Sequence, residues 1–265
     1  LFIDKISMHH PKIMKEITPP LGELTTLVPC GEQSMYTNET CTLGSINLNS
    51  PFLRSDTTII HVERLVETIH SSVRFLDNVI DLLDIPDTQM KERTHQLRRI
   101  GLGVSGFDDL LKYHNIDYGS KQSFEYAERI AKIFSHESNK ASHALASEKG
   151  PNAVLTDKRN QTVTCLPPTG GISLLWGNEG FSIEPSFQDA SKITPESHIK
   201  MLTTWQKYIE NSISKTVNLP ENYEKHLLPS MIEYAHQEGA KCITFYRDNS
   251  RQNQPLPLSE CSSCS

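Results

Sequence analysis

The sequence predicts an α/β fold, and three features carry that expectation. Short runs at 43–48, 163–166, 213–220 and 241–248 alternate or are β-branched, as strands are. Between them lie long stretches whose apolar residues recur every three or four positions, the spacing of a helix that buries one face. Helix-start and helix-stop residues punctuate the chain: Ser120, Thr194 and Pro195 at starts, Pro86 and Gly150-Pro151 at stops. Strands alternating with helices define the α/β class.

Residues 1–26 contain Pro11, Pro19 and Pro20 and read as connecting structure. A cysteine loop follows, then a strand beginning near Cys41, in which Leu43, Ser45 and Asn47 alternate with Gly44, Ile46 and Leu48. From 61 to 83 the stripe Val62, Leu65, Val66, Ile69, Val73, Leu76, Val79 and Ile80 predicts a buried helix face. His61 and His70 on it read as surface histidines. Gly101, Gly103 and Gly106 fit G-x-G-x-x-G, but a charged stretch, 91–99, precedes them where a nucleotide loop needs a strand. Close helix packing through small residues is the preferred reading.

A long helix is expected over 120–149, with Phe124, Ala127, Ile130, Ala131, Phe134, Ala141 and Leu145 buried. Another runs from Thr194 to about 212, and a further one covers 221–237. Residues 1–249 form the folded unit. The tail 250–265 is polar, holds Pro255 and Pro257, lacks periodicity and should be mobile.

The chain has 265 residues, enough for a real core, and a formal charge of −6, which gives no reason to expect nucleic-acid binding. No apolar run approaches the roughly 20 residues that span a bilayer, and no signal peptide opens the chain. Six cysteines are too sparse for a disulfide scaffold, which points to a reducing cytoplasm. No metal site is expected. The chain opens Leu-Phe-Ile-Asp without Met, as if it were the later part of a larger or split protein.

Three clusters carry candidate chemistry. Cys30 and Glu32 stand two residues apart around Gly31, whose freedom lets the turn bring both side chains to one small volume. Cys41 follows eleven residues after Cys30. Together they read as a redox dithiol beside a general acid/base, although free cysteines also serve as ordinary small hydrophobes. The second cluster is Pro168-Thr169-Gly170-Gly171-Ile172-Ser173, a hydroxyl-and-glycine turn ahead of a helix N-terminus, which suits an anion. The third is Cys261-Ser-Ser-Cys264, a mobile redox pair in preference to half a zinc site, since no second C-x-x-C exists.

Pro29-Cys-Gly-Glu-Gln33 and Leu43-Gly-Ser-Ile-Asn-Leu48 resemble the active-site segment of the ribonucleotide reductases. They look most like the adenosylcobalamin-dependent (class II) branch, with its Asn-Pro-Cys-Gly-Glu-Gln. The resemblance recurs in order. Ile100 to Gly106 is similar to Ile-Gly-Leu-Gly-Val-Met-Gly, with Ser105 where Met is usual. The 168–173 turn is similar to the phosphate loop Pro-Thr-Gly-Thr-Ile-Ser, with Gly171 replacing a hydroxyl residue. Ile183-Glu184-Pro185 resembles Gly-Ile-Glu-Pro, and Lys215 and Asn218 lie in the most family-specific wording, 213–220. Without the resemblance those two would read as ordinary polar loop residues. Lys241 to Asp248 is similar to Lys-Gly-Ile-Thr-Val-Tyr-Arg-Asp, with Cys242, read as a structural thiol, where glycine is usual.

The resemblance implies the later part of a ten-stranded α/β barrel that reduces ribonucleoside di- or triphosphates with adenosylcobalamin. Cys30 would be the thiyl radical, Glu32 the base at the 3′ hydroxyl, and Cys41 one reducing thiol. Cys261 and Cys264 would pass electrons inward from thioredoxin or a similar dithiol. An upstream half and a dimeric assembly are also implied. Two departures stand out. The second reducing thiol is absent, since none of Cys165, Cys242, Cys261 or Cys264 fits its place. Val28 stands where the family has the asparagine that holds substrate hydroxyls. These departures keep two alternatives open: a noncatalytic or regulatory reductase-like subunit, and a simple dithiol oxidoreductase.

Overall fold

Residues 1–8, 22–190 and 192–250 are described in the computed structural model. Helix α1 (Ile3–Met8) is tied to the far end of the sequence, because Phe2 N–H donates to the Lys241 carbonyl at 2.8 Å. Strands β1 (Thr26–Leu27) and β2 (Ser34–Met35) pair antiparallel, Thr26 opposite Met35 and Leu27 opposite Ser34. Residues 28–33 therefore form a hairpin turn. Strand β3 (Thr42–Asn47) and helix α2 (Val62–Leu82) lie where the periodicity predicts them. Helix α2 buries Leu65, Ile69, Val73, Leu76 and Ile80. Each such side chain contributes about 2 kcal/mol on leaving water.

The charged stretch is itself structured. Helix α3 (Thr88–Leu97) starts at Asp87, whose Oδ1 accepts from Met90 N–H at 2.7 Å, and ends at Arg98 with φ +48°. Strand β4 (Ile100–Ser105) follows, which corrects the helix-packing reading of the glycines. The close approach exists, but between strands: a Cβ on Gly101 would stand 2.4 Å from Cys165 Sγ and 2.5 Å from Leu43 Cδ2.

Helix α4 (Phe107–Tyr113) leads to α5 (Lys121–Lys149), capped by Ser120 Oγ on Ser123 N–H at 3.1 Å. After α6 (Gly170–Leu175) and α7 (Phe187–Ala190), α8 (Pro195–Gln206) opens under its Thr194 cap. It stops short of the expected 212, because 211–213 runs alongside 164–166: Leu166 N–H donates to the Ser212 carbonyl at 3.2 Å. Strand β5 (Thr216–Leu219) comes next. The helix expected from 221 is a 3₁₀ turn (Lys225–Leu227) and then α9 (Leu228–Gln237), with Pro229 in its first turn. Strand β6 (Thr244–Arg247) closes the described chain.

The strands form a parallel row. Thr42 to Asn47 face Ile100 to Ser105 in register. Parallel bridges join Leu102 to Thr164 and Leu166 to Ile213, and β5 pairs with β6 from Thr216–Thr244 to Leu219–Arg247. The row thus runs 42–47, 100–105, 164–166, 213–219, 244–247. Helix α2 packs on β3 and β4, α8 packs on β5, and α5 lies across α2 and α8. The main core fills the space between strands and helices. Among the described residues no helix is long and apolar enough to cross a membrane. Cys261 and Cys264 lie outside the described residues.

Candidate active site

The β1–β2 hairpin places the first cluster. Gly31 N–H donates to the Val28 carbonyl at 2.9 Å and Val28 N–H to the Gln33 carbonyl at 3.0 Å. Gly31 takes φ +81°, the left-handed region that glycine enters at no steric cost. The turn separates its two reactive groups by exposure: Cys30 is exposed, while Glu32 is 3% exposed. Glu32 Oε2 and both side-chain polar atoms of Gln33 are buried, and among the described residues no group hydrogen-bonds to them. Native interiors rarely leave such atoms unpaired, and those that are unpaired require a reason. Gln33 is the member that sequence reasoning missed; its only signal was its place beside Glu32.

Burial raises the Glu32 carboxyl above its ordinary value. Burial, and then the Glu32 charge, raise the Cys30 thiol. Half-buried Cys41 is pushed up to about 11, chiefly by burial. The two thiols are therefore protonated at neutral pH. The thiolate is the nucleophile in alkylation. At pH 9 Cys41 should therefore react with iodoacetamide about fifty times more slowly than an ordinary thiol of pKa 9. Its rate should climb only towards pH 11. Peptide-resolved alkylation rates check this, and a Cys41 rate already flat above pH 9 would contradict it.

The second cluster is arranged differently from its sequence reading. Thr169 is a β-branched residue in the left-handed region, at φ +60°. Its hydroxyl and that of Ser173 turn inward, to a third from Ser105 on β4. Ser105 Oγ is 2.5 Å from Ser173 Oγ and 3.1 Å from Thr169 Oγ1, and the latter two are 2.9 Å apart. Ser182 N–H also donates to Thr169 Oγ1 at 2.7 Å. These hydroxyls hold the loop together, and what they leave outward is Gly171 and Ile172, both exposed.

Pro168 borders a cavity of about 510 Å³, lined also by Glu184, Thr216, Asn218, Phe245 and Tyr246. That size suits a drug-sized or nucleotide-sized ligand. Neither Cys30 nor Cys41 lines it. Behind it, Lys215 is fully buried at the entry to β5, the strand expected over 213–220. Lys215 pairs with Glu184, donates to His198 Nδ1 at 2.9 Å and to the Thr216 carbonyl at 3.0 Å. Burial, and then the Lys215 charge, depress His198 to about 2, so its ring is neutral and its Nε2 donates to the Ala190 carbonyl at 3.1 Å.

A profile of the family described as ribonucleotide reductase, barrel domain, matches residues 1–158 and 182–246. The chain belongs to the ribonucleotide reductase family. Among its relatives is the vitamin B12-dependent ribonucleoside-diphosphate reductase of Thermoplasma acidophilum, 30% identical over 97% of this chain and 41% of the relative. The protein of the same description from Mycobacterium tuberculosis is 29% identical over 97% of this chain and 45% of its own length. The class Id ribonucleotide reductase alpha subunit of Actinobacillus ureae shares the fold, with a TM-score of 0.77 at 22% identity over 94% of this chain and 57% of that one. The chain thus has a ribonucleotide reductase-type fold and spans less than half the length of the first two relatives.

Within this family's pattern the departures now have positions. Half-buried Val28 sits at the base of the Cys30 turn, Ser105 supplies the third hydroxyl behind the 168–173 loop, and Cys242 is buried against Gly31. The structure brings Cys30, Gly31 and Glu32 together in one turn. Glu32 also raises the Cys41, Cys165 and Cys242 thiols, so these lie within its electrostatic reach.

Proposed function

We propose that this chain is the C-terminal catalytic part of an adenosylcobalamin-dependent ribonucleotide reductase, working with an upstream part. The parallel row would be the later part of a ten-stranded α/β barrel. Residues 1–249 would form that unit, and 250–265 would carry the Cys261–Cys264 dithiol. One observation supports the chemistry most: a buried carboxylate oxygen without a partner among the described residues lies in the same three-residue turn as an exposed, protonated thiol. A ribose carbon and its hydroxyl would meet the two groups together.

In that arrangement the Cys30 thiyl takes the hydrogen atom from the ribose 3′ carbon, and Glu32 takes the proton of the 3′ hydroxyl. Burial raises the Glu32 pKa, which makes its carboxylate a stronger proton acceptor than an exposed one. Cys41, protonated at neutral pH, contributes one of the two S–H groups that reduce the 2′ position as its hydroxyl leaves as water. The second thiol comes from the upstream part, and thioredoxin or a similar dithiol restores the pair through the tail. Adenosylcobalamin, when bound, supplies the radical equivalent; the exposed Cys30 thiol fits a donor that arrives from outside the fold. The cavity beside Pro168, which Cys30 and Glu32 do not line, would take the phosphate end of a ribonucleoside di- or triphosphate, with its ribose reaching out to the Cys30 turn. Dimerisation and a cytoplasmic setting belong to the same proposal.

A second reading, a noncatalytic reductase-like subunit, is favoured by Val28, whose side chain cannot hydrogen-bond. Losing such a bond to a buried hydroxyl costs about 1–3 kcal/mol, or roughly 5- to 150-fold in affinity. The deciding experiment measures deoxynucleotides formed from CDP and CTP by the chain with its upstream part, adenosylcobalamin and a dithiol. Turnover, raised about tenfold or more by Val28→Asn, supports the reductase. No product from either form, in a complex shown to assemble, would leave the noncatalytic reading.

A further inference from the structure

We propose that Lys241 and Cys242, at the entry to β6, are positioning residues for the Cys30–Glu32 turn. The proposal rests on the reading of that turn as the reacting site. Two independent contacts carry it, one on each side of the turn.

The first contact is made by Cys242. A Cβ built on Gly31 would stand 2.7 Å from Cys242 Sγ and 3.7 Å from Cys242 Cβ. The first distance is closer than van der Waals contact allows. The Cys242 thiol therefore occupies the place that a side chain at position 31 would need. Burial raises this thiol, so it stays an uncharged S–H that acts by packing. The family wording has glycine at this position. The thiol is thus an addition to the fold, and it has gone against the one glycine that separates Cys30 from Glu32.

The second contact runs through Lys241. The Glu32 carbonyl accepts from Ser212 N–H at 2.9 Å. The carbonyls of the three residues before Ser212 converge on one ammonium group: Lys241 Nζ donates to Ile209 at 3.3 Å, Glu210 at 2.5 Å and Asn211 at 3.1 Å. Lys241 is buried, and burial lowers its pKa to about 8. It holds the 209–212 run in the shape that presents Ser212 N–H to Glu32. The Lys241 carbonyl is held in turn by Phe2 N–H. Two adjacent residues thus clamp one turn, Cys242 from the Gly31 side and Lys241 through the backbone on the Glu32 side. A shift of about 1 Å in such a turn is enough to cost an enzyme on the order of 100-fold in rate.

The test is a double-mutant cycle on the full 265-residue chain, read by iodoacetamide alkylation of each cysteine peptide over a range of pH. Gly31→Ala places a methyl group against the thiol and should change the Cys30 rate about fivefold or more. Cys242→Gly removes the obstruction. Alanine at φ +81° stays strained in the double variant, so the Cys30 rate should return only part of the way towards the parent, with a change smaller than the product of the two single changes. Lys241→Met should also change the Cys30 rate and its pH midpoint, because Glu32 moves relative to the thiol, while the Cys41 rate, on which the Glu32 charge is the smallest of the causes, changes less. Cys242→Ser should restore the parent behaviour.

Single changes that simply multiply, or a Lys241→Met variant that alters Cys41 as much as Cys30, would overturn the clamp. If Gly31→Ala does not fold, the series Cys242→Gly, Cys242→Ala, Cys242→Ser and Cys242→Val takes its place. The Cys30 rate should then follow side-chain size at 242, and a flat series overturns the proposal. Coupling, with no deoxynucleotide from the assembled complex in either its parent or its Val28→Asn form, removes the reductase reading and keeps the clamp. An active complex without coupling does the reverse.

Discussion

Replacing Cys30 by alanine is expected to abolish deoxynucleotide formation by the assembled enzyme. The loss should exceed about 10⁴-fold, the scale on which removing a group that forms a covalent or radical intermediate acts. The reasoning is local. Cys30 is the exposed thiol of the turn, and Glu32 lies two residues away with an unpaired carboxylate oxygen. Among the described residues the other thiols cannot take its place: Cys165 and Cys242 are buried, and Cys41 is half-buried with its pKa near 11. Cys30→Ser should be equally inactive, because an O–H bond is stronger than S–H and the hydrogen exchange becomes uphill. Surface substitutions usually change stability by less than about 0.5 kcal/mol, so both variants should melt with the parent. Glu32→Gln should lose less, on the order of 100-fold or more, since it removes proton transfer and leaves the radical group. More than a few per cent of parental turnover in Cys30→Ala, with the variant folded, would remove Cys30 from the mechanism.

Why some of this was legible in the sequence and some was not has physical causes. Helices α2 and α5 expose one face and bury the other, so their 3.6-residue period is written into the chain, and Ser120 and Thr194 mark starts because a hydroxyl satisfies a free N–H. Strand β4 carried no such mark. All six of its residues are buried, so no alternation exists to read. The Cys30–Glu32 turn was legible because its residues are neighbours. The hydroxyl ring of Ser105, Thr169 and Ser173 was not: it joins two segments 64 residues apart or more, and a sequence cannot say which way a hydroxyl turns. Gln33 was overlooked because an amide signals function only when burial leaves it unpaired.

The burial of Lys215 and its pairing were not legible, although its place at a strand entry was, and it carries the largest expected effect on stability. Lysine is almost never fully buried without a partner; here the partner, Glu184, is 31 residues away. Lys215→Met keeps the volume and removes the charge. Glu184 then faces the cavity with one backbone donor, Thr216 N–H at 2.5 Å, and His198 Nδ1 loses its donor. Removing one member of a buried pair costs about 3–5 kcal/mol. Glu184 retains 18% side-chain exposure, so water offsets part of that cost and the lower figure applies. At about 2–4 °C per kcal/mol for a chain of this size, the melting temperature should fall by roughly 6–12 °C. Adding Glu184→Gln should recover part of the loss, because it removes the stranded charge along with its partner. His198 should also titrate at higher pH in Lys215→Met than in the parent, since the Lys215 charge is one of the two causes that depress it. Calorimetry and the NMR titration of His198 read both effects. A Lys215→Met protein that melts within about 2 °C of the parent, or a double variant no more stable than the single, would mean that the pair contributes no net stability. Glu184 would then owe its position on the cavity wall to Thr216 N–H and the packing of Ile183 and Pro185 alone.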